Sequence, residues 1–568
     1  MTAGATLSFF ILIPLLASAC AAIVPSLAVR RFLGLAVPAV GILAAGYLLF
    51  YLSGEGGPVI ADNVGAFIGG ISIPLVADTL TAVMLLATSI VVCAAMWFAD
   101  AVGETKTRFF PALALMLLAG AWGAIMTADI FNLFVFIEVM LMPSFGLLAM
   151  TGTWARLAAA RMFIVVNLVT SMILLTGVAT VYAVVGTTNL AALAGSAGPR
   201  GQSFAPGIFG NQWQLMVALG VVLLALSVKA GMAPVHTWLP RAYPATSPAV
   251  MALFSGLHTK VAVYAIFRIY LTAFEGDVAL GWGILGFVVL GMLIGAFAGL
   301  GEASLRGVVA YQMVNGIPFM LVALVFLNHD AHLMLSASLF YMLHHMVVAS
   351  SLIMAAGSIE ETYGTGRIRP LSGLSRRDPF PSVIFALAAL AIIGFPPFSG
   401  VLGKLGLIMG IAQDGTWKAW IAIGAIIIAG VGALLSMLYV WREVFWGRSM
   451  NANECDPSLA VAHRFVYPSA AMIILSVAMF FGAGPVFNVV GRAADNLTDT
   501  TAYVSAVMGD PDTAVGMVLE PGPSGLDNVP AGALDSTSEA ALREQEIRNN
   551  QITTSDNTEQ SKAKEAGR

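Results

Sequence analysis

The chain has 568 residues, of which 58% are hydrophobic and only 10% charged, and its mean hydropathy is +0.87. A soluble globular domain carries about a quarter charged residues, so this composition excludes one and fits a protein that crosses a membrane many times. The formal net charge of −4 averages charges that are segregated outside the apolar runs, and no basic run suggests nucleic-acid binding.

Apolar runs of about 20 residues, the length that spans a bilayer core, predict an all-α polytopic membrane protein with about fourteen helices. In chain order they fall near 5–28, 33–53, 79–99, 109–128, 130–151, 162–186, 213–231, 248–272, 279–300, 307–328, 332–357, 379–412, 418–440 and 465–490. The first run has no basic residue before it and is followed by Arg30 and Arg31. That reverses a signal peptide's charge order, so the run is expected to be a retained helix. Segment 56–77 is too rich in Gly and Pro to span and is expected to form an extended hairpin outside the membrane. From about Ala493 the sequence turns polar, which predicts a disordered or weakly helical tail. Cys20, Cys93 and Cys455 have neither paired nor metal-type spacing, and the first two are expected to be packing residues in apolar spans.

One set of alternate loops holds Arg30, Arg31, Lys106, Arg108, Arg156, Arg161, Arg241, Arg306, Arg367, Arg369, Arg376, Arg377, Arg442, Arg448 and Arg464. The opposite set holds Arg200, Arg268 and Lys418, besides the basic residues of the tail. The positive-inside rule makes the basic side cytoplasmic and places both termini outside, as an even helix count requires.

Four ionisable side chains stand inside apolar runs: Glu138 in FNLFVFIEVMLM, Lys229 at the end of LALSVK, Lys260 in GLHTKVAVYAIF and Lys404 in SGVLGKLGLIMG. A charge near a bilayer centre costs at least about 2.5 kcal/mol on insertion scales, so such residues face a polar interior and mark an ion path. Burial pulls a lysine toward neutrality, where it can release and regain a proton. Glu138 is the expected counter-charge of Lys229, the alternative being a static pair that only pins two helices. His344 and His345 lie mid-span in SLFYMLHHMVVASS and can shuttle protons. Adjacent helical residues point about 100° apart, so one of the two is expected to line the path while the other packs. His258 faces away from Lys260 and is the weaker candidate. His329 and His332 flank Asp330 at a helix edge and read as interfacial, while Asp78 and Asp129 open helices and read as caps.

Two spans are interrupted. Lys229 is followed by Gly231, Pro234 and Pro240; Gly394, Pro396 and Pro397 precede Gly400, Gly403 and Lys404. Proline removes a backbone donor and frees carbonyls that must be satisfied inside the protein. Breaks in corresponding places of two halves point to a transporter's ion site, and here each lies beside a buried lysine. No phosphate loop, dinucleotide fingerprint, nucleophile elbow or metal-type His/Cys cluster is present, so neither a cofactor nor a bound metal is expected, and the driving force must be an ion gradient or a partner subunit.

The stretches ADIFNLFVFIEVMLM (128–142), KAGMAPVHTWLPRAYPATSPAVMALFSGLHTKVAVYAIFR (229–268) and IIGFPPFSGVLGKLGLI (392–408) resemble the antiporter-like family. That family joins the proton-pumping membrane subunits of respiratory complex I and the large subunits of Mrp-type multisubunit Na⁺/H⁺ antiporters. The resemblance covers roughly residues 75–445, and YMLHHMVV with GSIEETYGTGRIRPLSGLSRRDPF is most similar to one large subunit of the Mrp type. It implies fourteen helices with two inverted five-helix repeats, helices 4–8 and 9–13, each containing a broken helix. The domain division it implies is 1–108 (helices 1–3 with an extracellular hairpin), 109–278 (first repeat), 279–445 (second repeat), 446–492 (helix 14) and 493–568 (tail). It further implies Glu138 and Lys229 as the essential pair, Lys260 as the central relay and Lys404 as the exit-side residue. The family often has a lysine shortly after the double histidine, where this chain has Ala349, so the relay is expected to rest on His344, His345 and water. The expected function is that of a non-enzymatic membrane subunit of a hetero-oligomeric Na⁺/H⁺ antiporter in a bacterial inner membrane, its partners being the other subunits, protons, Na⁺ and lipid. The alternative is a proton-pumping subunit of a complex I-like enzyme or membrane hydrogenase. A third possibility is a non-conducting structural subunit.

Overall fold

The computed structural model describes residues 4–54, 59–66, 72–150, 152–198, 212–448, 450, 456 and 458–509. The chain divides into a unit Met1–Pro511 and a unit Asp512–Arg568, so Cys455, Arg200 and most of the polar tail lie outside the described residues.

The chain opens with α1 (Phe9–Ile23) and α2 (Leu27–Leu52), then a two-stranded antiparallel hairpin, β1 (Ile60–Asn63) with β2 (Pro74–Ala77), in the register Ile60 to Ala77 and Asn63 to Pro74. There follow α3 (Thr79–Val102), α4 (Phe110–Met126), α5 (Ile130–Ala149), α6 (Trp154–Val185), α7 (Gln212–Ala230), the short α8 (Trp238–Ala242) and α9 (Pro248–Phe274). The second half runs α10 (Gly281–Ala298), α11 (Leu305–Leu321), α12 (Leu327–Tyr363), the single turn α13 (Leu374–Arg377), α14 (Pro379–Ile393), α15 (Gly400–Asp414) and α16 (Trp417–Val440). The described residues close with α17 (His463–Phe481), α18 (Ala483–Thr498) and α19 (Thr501–Met508).

Among the described residues twelve helices are long and apolar enough to cross a bilayer, and the shorter apolar helices α4 and α14, the latter continued by α15, bring the crossings to fourteen. Packing pairs the two halves. α4 lies on α5 as α10 lies on α11, α6 on α7 as α12 on α15, and α4 on α9 as α10 on α16. α9 is buried along all 27 residues, while α1 and α2 present Leu16, Phe32, Leu43 and Phe50 outward, the apolar surface a bilayer or a neighbouring subunit covers.

Several sequence expectations shift. Cys20 is exposed on α1 rather than packed. Helix 14 stops at Phe481, and the amphipathic α18 follows Gly482, burying Val490, Ala493, Ala494 and Leu497. Residues 493–498 and 501–508, expected in the polar tail, are helical, and α19 rests on the hairpin. A short helix whose apolar residues all serve one docking face reads as polar in bulk, which is why composition missed it. Arg268 and Arg306, counted as loop cations, are buried, the first inside α9 and the second in the opening turn of α11. Arg268 pairs with Asp78 at 2.7 Å, and Arg306 grips Glu360 through two bonds of 2.7 and 2.6 Å. His332 pairs with Asp495 of α18 at 2.7 Å, with both side chains exposed.

Candidate functional site

α7 ends because Gly231 adopts φ +86°, the left-handed closure that favours glycine, and Pro234 three residues on has no donor to continue the helix. That ending holds Lys229 in the last turn with 6% of its surface exposed. Its Nζ donates to Ser171 Oγ of α6 at 2.8 Å, and Ser171 Oγ donates in turn to Glu138 Oε1 of α5. Glu138 and Lys229 therefore meet through a hydroxyl rather than head to head. Ser171 carries no sequence signal, because a lone hydroxyl in an apolar helix ordinarily bonds its own i−4 carbonyl, as neighbouring Thr170 does to Val166 O at 2.7 Å. The break is clamped by Trp238 Nε1, which donates to Val228 O at 3.1 Å.

His258 belongs to this site, against its lower ranking from sequence. Its Nε2 lies 2.8 Å from Ser144 Oγ and its Nδ1 3.3 Å from the Tyr243 hydroxyl. With Lys229 and Asn167 it lines a cavity of about 10 Å³, room for roughly one water. Residues 258 and 260 do point apart on α9, and that divergence is what joins two sites: His258 reaches Lys229, while Lys260 reaches into the second half.

Lys260 is fully buried and donates to Thr259 Oγ1 at 3.1 Å, and among the described residues no carboxylate pairs with it. It lies within electrostatic reach of His345, which in turn senses His344 and Lys404. Both histidines are fully buried at the middle of α12. His344 Nδ1 lies 2.8 Å from Ser399 Oγ, which lies 2.9 Å from Ser476 Oγ of α17. His345 Nε2 lies 3.5 Å from Gln312 O, a marginal distance. Glycines make room for both rings. A Cβ on Gly316 would sit 2.0 Å from His345 Nε2, and one on Gly400 2.6 Å from His344 Nε2. Gln312 and Asn315 of α11, which nothing in the sequence singles out, complete the patch. Gln312 Nε2, Asn315 Oδ1, His344 Nε2 and His345 Nδ1 are buried without a partner among the described residues, a concentration of spare hydrogen-bonding capacity that apolar interiors do not tolerate without reason. Ala349, at the place where the family often has a lysine, is buried and small.

Lys404 stands half-buried beyond the second break. Gly394, at φ +99°, ends α14, and the Ile393 carbonyl would need a donor at residue 397, which is proline. Lys404 Nζ supplies that bond at 2.7 Å and lies 4.8 Å from the Phe319 ring centroid and 6.0 Å from that of Tyr341. The two lysines are thus set differently: Lys229 precedes its break and answers to a carboxylate, while Lys404 follows its break and answers to a freed carbonyl and two aromatic faces. Among the described residues no group of three or more His, Cys, Asp or Glu is placed to hold a metal ion.

Residues 127–429 match the family model described as NADH:quinone oxidoreductase/Mrp antiporter, TM. The chain is 29% identical to the D-type subunit of the Na(+)/H(+) antiporter of Alkalihalophilus pseudofirmus over 77% of its length and 86% of that protein. It is 28% identical to the corresponding antiporter protein of Bacillus subtilis over 88% of its length and 99% of that protein. Its fold superposes on a chain of the Mrp complex from Dietzia sp. DQ12-45-1b with a TM-score of 0.82 at 35% identity, covering 90% of this chain and 100% of that one.

Proposed function

The chain belongs to the NADH:quinone oxidoreductase/Mrp antiporter membrane family, and on that premise we propose that it works as a D-type subunit of a hetero-oligomeric Na⁺/H⁺ antiporter. It is a multi-pass membrane protein and a transporter subunit rather than an enzyme. The near full-length likeness to D-type antiporter proteins favours this over a redox-driven pump, and the buried charges argue against a purely structural subunit.

The observation that carries the mechanism is the bridge Glu138–Ser171–Lys229. Protons pass between the Lys229 and Lys260 sites through His258 and its cavity, then to Lys404 by way of His345 and His344. A carboxylate linked to Lys229 favours its charged form, and breaking the link promotes proton release. Lys260, with no such partner, releases its proton to whichever side offers a polar acceptor. The two repeats, 109–278 and 279–445, supply one half of this path each. The basic-loop tally places both termini outside and the basic face in the cytoplasm of a bacterial cell, which a tag at Arg568 accessible in spheroplasts tests.

The deciding experiment is Glu138→Gln in the assembled complex. Collapse of a pH gradient by Na⁺ in membrane vesicles should be lost while native gels show normal assembly. Exchange near the wild-type rate would overturn the path. Co-purification with flavin or iron–sulfur subunits instead of small membrane subunits would favour the redox-driven alternative.

A further inference from the structure

The helix that carries Lys260 continues toward the sparsely basic face with two more polar side chains. Lys260, Tyr264 and Arg268 are spaced i, i+4, i+8, which stacks them along one side of α9. The Tyr264 hydroxyl donates to Ile125 O at 2.6 Å, lies 3.2 Å from Thr81 Oγ1 and accepts from Arg268 Nη2 at 3.3 Å. Arg268 pairs with Asp78 at 2.7 Å, both buried, and its guanidinium lies 5.5 Å from the Tyr264 ring centroid and 5.0 Å from that of Tyr503 on α19. On the other side, Thr127, Asp129, Tyr264 and Arg268 share a cavity of about 10 Å³. Asp129 is 8% exposed, and its carboxylate accepts from Thr188 Oγ1 at 2.5 Å and Asn132 N at 2.7 Å.

Two buried carboxylates and a guanidinium are a costly way to pin helices, since apolar residues of the same volume hold a core at least as well. The path from Glu138 to Lys404 makes no use of them. We propose that this end of α9 is a further proton outlet from Lys260, with Tyr264 as the link, Asp78 and Asp129 as acceptors, and Arg268 as the gate that closes it. The outlet rests on the reading of Lys260 as a proton carrier.

The conformation seen is the closed one. The hydroxyl hydrogen of Tyr264 is committed to the Ile125 carbonyl, a fixed positive charge stands where a proton would have to pass, and Tyr503 roofs that charge. Opening requires Arg268 to swing off Tyr264 and the phenol to turn. The phenol oxygen then accepts a proton from the Lys260 ammonium while its own hydroxyl proton passes to Asp78 or Asp129. The products are a neutral amine and a neutral carboxylic acid, and tyrosine is restored. A mere structural clamp would never carry a proton in either state.

The test uses the assembled complex in liposomes, with passive proton influx driven by a valinomycin–K⁺ potential and no Na⁺ gradient. Removing a fixed charge from a low-dielectric path should lower the barrier by enough to raise the leak roughly tenfold or more in Arg268→Gln. Adding Lys260→Met or Tyr264→Phe should return that leak to the wild-type level, which damage to the bundle would not allow. Tyr503→Ala, which removes only the roof, should leak through the same residues and decides the matter where Arg268→Gln fails to assemble. An unchanged leak in the assembled variants, or a leak that persists with Lys260→Met, overturns the outlet. Antiport by Lys260→Met alone reports separately on the underlying reading.

Discussion

Ser171→Ala tests the bridge at its least conspicuous member. The serine hydroxyl accepts from the Lys229 ammonium at 2.8 Å and donates to Glu138 Oε1, so it makes two charge-assisted hydrogen bonds in a site where Lys229 is only 6% exposed. Hydrogen bonds to charged groups contribute about 1.5–3 kcal/mol each. Alanine leaves the lysine one acceptor short and breaks the only side-chain link the structure gives it to the carboxylate. If the loss of one of these two bonds appears in full in the transfer barrier, exchange slows roughly 10- to 150-fold. Ser171→Thr keeps the hydroxyl and should retain a measurable fraction of the rate. The assay is Na⁺-driven collapse of a pH gradient in vesicles, normalised to assembled complex on native gels. Exchange within twofold of wild type in assembled Ser171→Ala would refute the idea that Glu138 and Lys229 communicate through this hydroxyl.

Lys404→Ala should eliminate exchange, whereas Lys404→His or Lys404→Glu should keep part of it with a shifted pH optimum; full activity in the alanine variant would make this lysine only a cap for the Ile393 carbonyl. Gly316→Ala drives a methyl to within 2.0 Å of the His345 ring, and overpacking of this kind costs about 1–3 kcal/mol. It should lower the melting temperature and displace the relay histidine, and a variant with normal exchange would exclude His345 from the path. Outside the membrane spans, burial between α3 and α4 pushes the Glu104 carboxyl up to about 7, against the bond it accepts from Ser247 Oγ at 2.7 Å. The folded protein holds that proton where an unfolded chain would release it, so the stability Glu104 contributes is full below pH 4.5 and is lost as pH rises through about 7. Glu104→Gln should therefore match wild type in thermal melts below pH 4.5 and gain on the order of 3 kcal/mol above pH 7; melting curves that differ equally at every pH would contradict it.

Sequence alone determined the fourteen crossings, the two breaks and the four charges that stand inside apolar runs, because each is a local property. Span length is set by the bilayer, breaks by proline and glycine, and a charge in an apolar run is conspicuous wherever it points. The family resemblance rested on the same residues. What tertiary structure decided is everything that depends on which helix faces which. Ser171 is an ordinary polar residue until α6 turns it toward a buried lysine, and Gln312 and Asn315 are ordinary until α11 buries their amides beside one another, with the Gln312 carbonyl near His345. His258 reads as misplaced relative to Lys260 until α7 is laid against it, and Arg268 reads as a loop cation until α3 brings Asp78 to meet it at 2.7 Å. Residues 493–508 read as tail because a docking helix needs only one apolar face, and that face has meaning only once α3, α12 and the hairpin are there to receive it. Composition and periodicity report a residue's own preference for lipid, water or helix, but the partners of a buried polar group lie tens to hundreds of residues away and are fixed by packing alone.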